Sequence, residues 1–299
     1  MPDYTPPSIP NTGPAHELPP GFPFEADSAI RRFAEPAGFF LLPSIATQTV
    51  MHDKVAAGVD EHSAFLQHPW GRLIHVADAA LTLVFSDAEA AQEKAEQLWT
   101  YHHTVQGVHG ELSYSANDAE LQTWVLGCVF RGIEEANRRW AKPLQPADRR
   151  NLWQDTRTFG LLFGIPERVM PRDIDALDEY WHDMLESNQL VQTAISRDLV
   201  HRIFSYHSWK APLPLARFGQ AVSKASIEPA LLARAGVEMT RNERRISHAA
   251  DWLMQHSYSR IPKARREQVI PMYLNTRRKM HAAKKAILPS RSVAGANTN

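Results

Sequence analysis

Fourteen histidines stand in this chain, and imidazole is the side chain that both titrates near neutrality and ligates metals. Their spacing decides which use is open. HExxH, which sets two zinc ligands one turn apart on a helix, does not occur. Glu179 and His182 have the Glu-x-x-His spacing that turns two ligands into a helical bundle, yet a di-iron carboxylate centre needs a second such pair and two further glutamates, and only this pair is present. GxSxG, a Walker loop and GxGxxG are also missing, which removes the usual serine-hydrolase, nucleotidase and Rossmann dehydrogenase readings. What stays distinctive is His102. It follows Ala91, Ala95 and Leu98 and precedes Val105 at four-three spacing, so an imidazole sits within an apolar helical stripe. Such a residue is either a core histidine bonded to a carbonyl or a metal ligand, and spacing alone favours the first. His103 points about 100° away, toward the polar flank.

The elements that must position these groups are helices. Apolar residues recur at helical spacing almost everywhere, and no segment sustains a two-residue alternation between turn signals, so the fold class is all-α. Ser86 with Glu89 reads as a capping box opening the helix that carries His102. Asn117 or Asp118 caps the next, whose Leu121, Trp124, Val125, Cys128, Val129 and Ile133 predict deep burial. Thr240 and Glu243 form another capping box, followed by Ile246, Ala250, Leu253 and Met254. Further helices are predicted over about 44–66, 70–84, 147–160, 173–186, 190–207 and 228–235. Residues 1–24 hold eight prolines, which forbid helix and supply little to bury, and read as an extended arm. Residues 25–286 form the folded body, and 287–299 read as a disordered tail.

Composition narrows the partners. Of 299 residues, 33 are Lys or Arg and 33 Asp or Glu, so no net charge draws nucleic acid. From Arg260 onward, however, ten basic residues face the single acid Glu267, leaving the rest of the chain acidic. The run Arg277, Arg278, Lys279, Lys284 and Lys285 reads either as a solvated helix face or as a contact for an anionic membrane surface. Cys128 is the lone cysteine, which excludes an internal disulfide and Cys-rich metal sites and suits the cytoplasm. No export signal is evident before Arg31, and no stretch reaches the ~20 apolar residues of a membrane span.

Several motifs then fall in a recognisable order. Tyr101-His102-His103-Thr-Val105-Gln-Gly107 contains HxxVxG; Tyr114-Ser-Ala116-Asn-Asp118 and Trp124-Val125 follow. His52 to Ser63 reads HDKVAAGVDEHS, Gly71-Arg72-Leu73 opens the next helix, Phe159-Gly160 to Pro166 forms FG-x-x-x-G-x-P, and Pro229 to Gly236 matches more loosely. Together these resemble the oxygenase family of latex clearing protein, a rubber oxygenase, and the fungal mpaB oxygenase, over about residues 35–285. The resemblance implies a single globin-related helical domain holding haem b and using O2 on an apolar, often isoprenoid or lipid-like, substrate. It makes His102 the proximal iron ligand. It sets Arg72 at the haem periphery, where a guanidinium pairs with a propionate. His75 stands where rubber oxygenases have a distal lysine, and Val76 where they have a threonine. On this reading His75, three residues from Arg72, is a distal ligand or a donor to bound O2, and Glu61 is a general base. Two alternatives stay open: a bis-histidine haem protein without oxygenase turnover, and a non-haem helical protein, whether a binding module or an enzyme using Glu179 and His182.

Overall fold

A computed structural model describes residues 9–276 except 16, 63–68 and 206–212. The expected helical class holds. The order runs α1 (Ala29–Phe33), a 3-10 turn at Pro36–Leu41, α2 (Leu42–Val50), α3 (Asp53–His62), α4 (Pro69–Phe85) and α5 (Ala88–His103). Two short strands follow, β1 (Gln106–His109) and β2 (Leu112–Ser115). Then come α6 (Ala119–Trp140), α7 (Pro146–Leu162), α8 (Ile174–Glu186), α9 (Ala194–Ile203), α10 (Leu213–Lys224), α11 (Pro229–Arg234), α12 (Arg241–His256) and α13 (Lys263–Glu267). Residues 1–8 of the arm, the basic run from Arg277 to Lys285 and the 287–299 tail lie outside the described residues.

The strands correct the purely helical expectation. They pair antiparallel, Gln106 opposite Ser115 and Gly107 opposite Tyr114, around a turn with Gly110 at φ +63°. Four residues each are too few to register as an alternation, and Tyr114 and Ser115 are buried in succession. The helix predicted over 44–66 is also divided. Chain from 189–190 comes against the backbone between α2 and α3: His52 bridges Leu190, Asp53 N donates to Gln189 O at 3.4 Å, and His52 Nε2 lies 3.1 Å from Gln189 Oε1. At α5 the cap is one residue later than expected. Asp87 accepts from Ala90 N at 2.9 Å, while Ser86 N still bonds Thr82 O in the preceding helix. Asp118 caps α6 through Glu120 N and Leu121 N, and Thr240 with Glu243 makes the capping box of α12, as their sequences predict.

Helix α6 connects the three apolar clusters of the interior, while Arg131, Glu134, Glu135 and Arg138 keep one side of its second half charged and in contact with solvent. Leu126 and Phe130 join a cluster with Leu83, Ala91, Ala95, Trp153 and Leu162. Trp124 and Cys128 join another with Met51, Leu73, Trp181 and Leu199. Ala136 and Trp140 join a third with Leu41, Val222 and Ala250. One guanidinium is built into this interior. Arg139, whose side chain is only 2% exposed, donates to Asp251 at 2.8 Å, Ser247 Oγ at 2.7 Å and Val222 O at 3.1 Å, and also to Ser226.

The proline-rich arm contributes more than its composition promises. Phe22 and Phe24 are buried in the first cluster, edge to face at 5.5 Å. Asn11 N donates to Asn117 O and Thr12 N to Gly164 O, which ties the arm to the start of α6 and the end of α7. Among the described residues no helix is long and apolar enough to cross a membrane.

Candidate functional site

The C-terminal end of α5 presents His102, and the elements around it come from the motifs. Its side chain is half-buried, but Nδ1 is sealed from solvent and has no hydrogen-bond partner among the described residues. Phe163 meets the imidazole edge to face at 5.4 Å. That ring is delivered by the turn after α7, where Gly164 adopts φ +94° and backs against Gly13 so closely that a Cβ would collide with the Gly13 carbonyl. Burial, with the Arg72 charge adding to it, pushes His102 down from an ordinary 6.5 to about 4. The imidazole is therefore neutral at pH 7 and keeps a nitrogen lone pair. Leaving a buried polar atom unsatisfied costs about 1–3 kcal/mol, and among the described residues His102 Nδ1 shares that state with Trp99 Nε1 and Trp124 Nε1, among others.

Arg72, near the start of α4, lies over the Tyr101 ring at 5.3 Å, beside His102 in sequence. α4 and α5 pack against each other, which brings the GRL and HxxVxG motifs together. His75 and Val76, one turn further along α4, are solvent-exposed, as is Ile74. His103 turns outward and stacks on Trp99 at 5.6 Å.

A second set of motif residues meets on Tyr114. Its hydroxyl donates to Glu61 Oε2 at 2.5 Å and lies 2.9 Å from His62 Nε2. His109 Nδ1 lies 2.8 Å from the other Glu61 oxygen, and Tyr101 Oη donates to His62 O at 3.4 Å. The motif glycines make room for this ring. A Cβ on Gly107 would stand 2.7 Å from Tyr114 Oη, and one on Gly58 3.4 Å from Cδ2. The Tyr114 hydroxyl bond, more than any other contact, holds the Glu61 carboxyl below its usual range. Burial and the adjoining carboxylate push the Tyr114 phenol up. Glu61 is thus ionised near neutrality, a proton acceptor held by two donors.

From the sequence Tyr114 reads as a buttress for the Asp118 cap. Its polar end instead binds Glu61 and His62, and His109 joins them; the signal was the seven-residue step from Gly107 to Tyr114 across Gly110. Phe163 could have been found inside FG-x-x-x-G-x-P. Glu179 and His182 do not converge on a metal. Both are exposed, and His182 pairs with Glu186 at 3.2 Å. Among the described residues no group of three or more His, Cys, Asp or Glu side chains is disposed to hold a metal ion.

The structure gives a helical domain with these motif residues gathered on it, and comparison with known proteins gives the family. Residues 30–256 match the catalytic domain described as ER-bound oxygenase mpaB/B'/Rubber oxygenase. The chain belongs to this family. Uncharacterized proteins of Mycobacterium bovis and of Mycobacterium tuberculosis are each 34% identical to it over 79 residues, 26% of this chain. The chain covers 31% of the length of either relative. No solved structure matches.

Proposed function

We propose that the protein is a haem b oxygenase, with a globin-related arrangement of its helices, that uses O2 to oxidise an apolar, isoprenoid or lipid-like substrate. The observation that carries this reading is the sealed, unpartnered Nδ1 of a neutral His102 at the family's HxxVxG position. The residues present fit the group. An imidazole kept unprotonated by burial is the axial donor that a haem iron takes, and Phe163 gives it a dry aromatic flank. Arg72 supplies the guanidinium for a propionate, and it lies over the Tyr101 ring. Bound haem would supply iron at which O2 is activated.

The chain's own groups would then bind and orient. His75 and the aliphatic Ile74 and Val76 occupy the exposed surface of α4, and we assign His75 to the distal side. Glu61, ionised and fixed by Tyr114 and His109, is assigned as the group that accepts a proton from substrate. The lone cysteine, buried in α6, supports a reducing cytoplasmic setting.

The test is reconstitution with haem followed by incubation with apolar alkenes under O2. Oxygenated products from wild type, abolished in His102→Ala and strongly reduced in Glu61→Gln, are expected. Stable haem binding with no consumption of O2 across such alkenes would instead favour the haem protein without turnover. For His75, substitution by alanine is expected to alter the spin state of the ferric spectrum, and an unchanged spectrum removes it from the iron.

A further inference from the structure

Among the described residues nothing packs on one face of α12. The helix packs on α10 and α6, with Ser247 and Ala250 buried on its inner side. Outward it presents Arg241, Arg245, His248, Trp252 and His256, whose steps of three and four align them in one stripe, with Arg244 and Leu253 on its flanks. Trp252 is 62% exposed and Leu253 53%. The indole does not fold back on the core but stacks on His256 at 4.6 Å. Both acids of the helix are turned away from this stripe and neutralised. Glu243 bonds Lys224 Nζ at 2.6 Å, and Asp251 accepts from Arg139 and Trp140. Residues 241–266 hold seven bases and only these two acids. The segment that follows exposes Ile261, Val269 and Met272 near Arg260 and Arg265 in sequence.

We propose that this outer face of α12 docks the protein on an anionic lipid bilayer. The arginines meet the phosphate layer, and Trp252 with Leu253 enters the boundary between headgroups and acyl chains. Charge complementarity selects the partner's sign, since no carboxylate of α12 faces outward. The pairing of an exposed tryptophan with aliphatic side chains selects a bilayer over a nucleic acid. Indole is favoured at the membrane interface, whereas Leu253 and its aliphatic neighbours have nothing to stack on in a polyanion of bases. The chain's own C-terminus is a poor cover for the face, because residues 268–299 carry six bases and no acid. The inference is independent of the haem reading.

The test is co-sedimentation of the full chain with phosphatidylcholine vesicles lacking or containing phosphatidylglycerol. Binding is expected only to the anionic vesicles, weakening as salt rises. The double variants Arg241→Glu/Arg245→Glu and Trp252→Ser/Leu253→Ser should each lower partitioning by about tenfold or more while the thermal midpoint holds, since all four side chains are exposed. Wild-type protein left in the supernatant, or variants that partition like wild type, would overturn the proposal. So would equally tight binding to single-stranded RNA that ignores Leu253, or a concentration-dependent dimer lost in the Trp252 variant, which would assign the face to a nucleic acid or to a second copy.

Discussion

Replacing His102 with leucine should stabilise the haem-free protein, not weaken it. A sealed ring nitrogen without a partner is a penalty that an aliphatic side chain of similar size removes, about 1 kcal/mol at pH 7. The pH dependence is more decisive, because it does not depend on how well leucine packs against Phe163. His102 is held down from 6.5 to about 4 by burial and by Arg72, so below pH 6.5 the unfolded chain binds a proton that the folded one refuses. Stability is therefore lost as pH falls through this window. Between pH 7 and pH 5 the loss from this one group is up to about 2 kcal/mol. Urea denaturation of the wild type and of His102→Leu at both pH values measures it. The variant's advantage should widen from pH 7 to pH 5 by that amount and reverse when haem is present, since a ligand that binds only the native wild type stabilises it. A His102→Leu protein less stable than wild type, with an identical dependence on pH, would show that the imidazole is a satisfied core residue.

Tyr114→Phe deletes the donor to Glu61 and the partner of His62; thermal denaturation should show a loss of about 1–2 kcal/mol, and carboxyl titration by NMR should show Glu61 rising toward its ordinary range. Arg139→Met removes the buried guanidinium and leaves the part-exposed Asp251 and the Ser247 hydroxyl without their donor, and equilibrium unfolding should record a loss of about 1–3 kcal/mol. Gly164→Ala introduces both a left-handed alanine and a collision with the Gly13 carbonyl. It should destabilise by more than about 2 kcal/mol and open the arm near Thr12 to proteolysis. Cys128 is buried, with its thiol pushed well up, so it should react with a thiol reagent only after unfolding.

Much of this was legible in the sequence wherever a local rule dominated. The Asp118 and Thr240 caps, the buried α6 and the apolar stripe that singles out His102 each follow from contacts within one element. Elements whose form depends on distant chain were not legible. The break between α2 and α3 is made by residues 189–190, and the arm's Phe22 and Phe24 find a core assembled far from them in sequence. The site divides in the same way. His102, Arg72 and Glu61 stand in motifs, but the dependence of Glu61 on Tyr114 requires Gly58 and Gly107 to clear space across two elements, and no periodicity encodes that. His75 stands one turn from Arg72 on α4 and its side chain is exposed, so the distal role proposed for it rests on the sequence resemblance and not on packing.

The most direct test of the central claim is the haem content of protein expressed with a haem precursor, measured by absorption and by pyridine haemochrome for wild type and for His102→Ala. The account predicts one b-type haem per chain, with a strong Soret band in the wild type that is lost or shifted in the variant while the helical fold persists. Well-folded wild-type protein without haem, or an unaltered Soret band in His102→Ala, would contradict it.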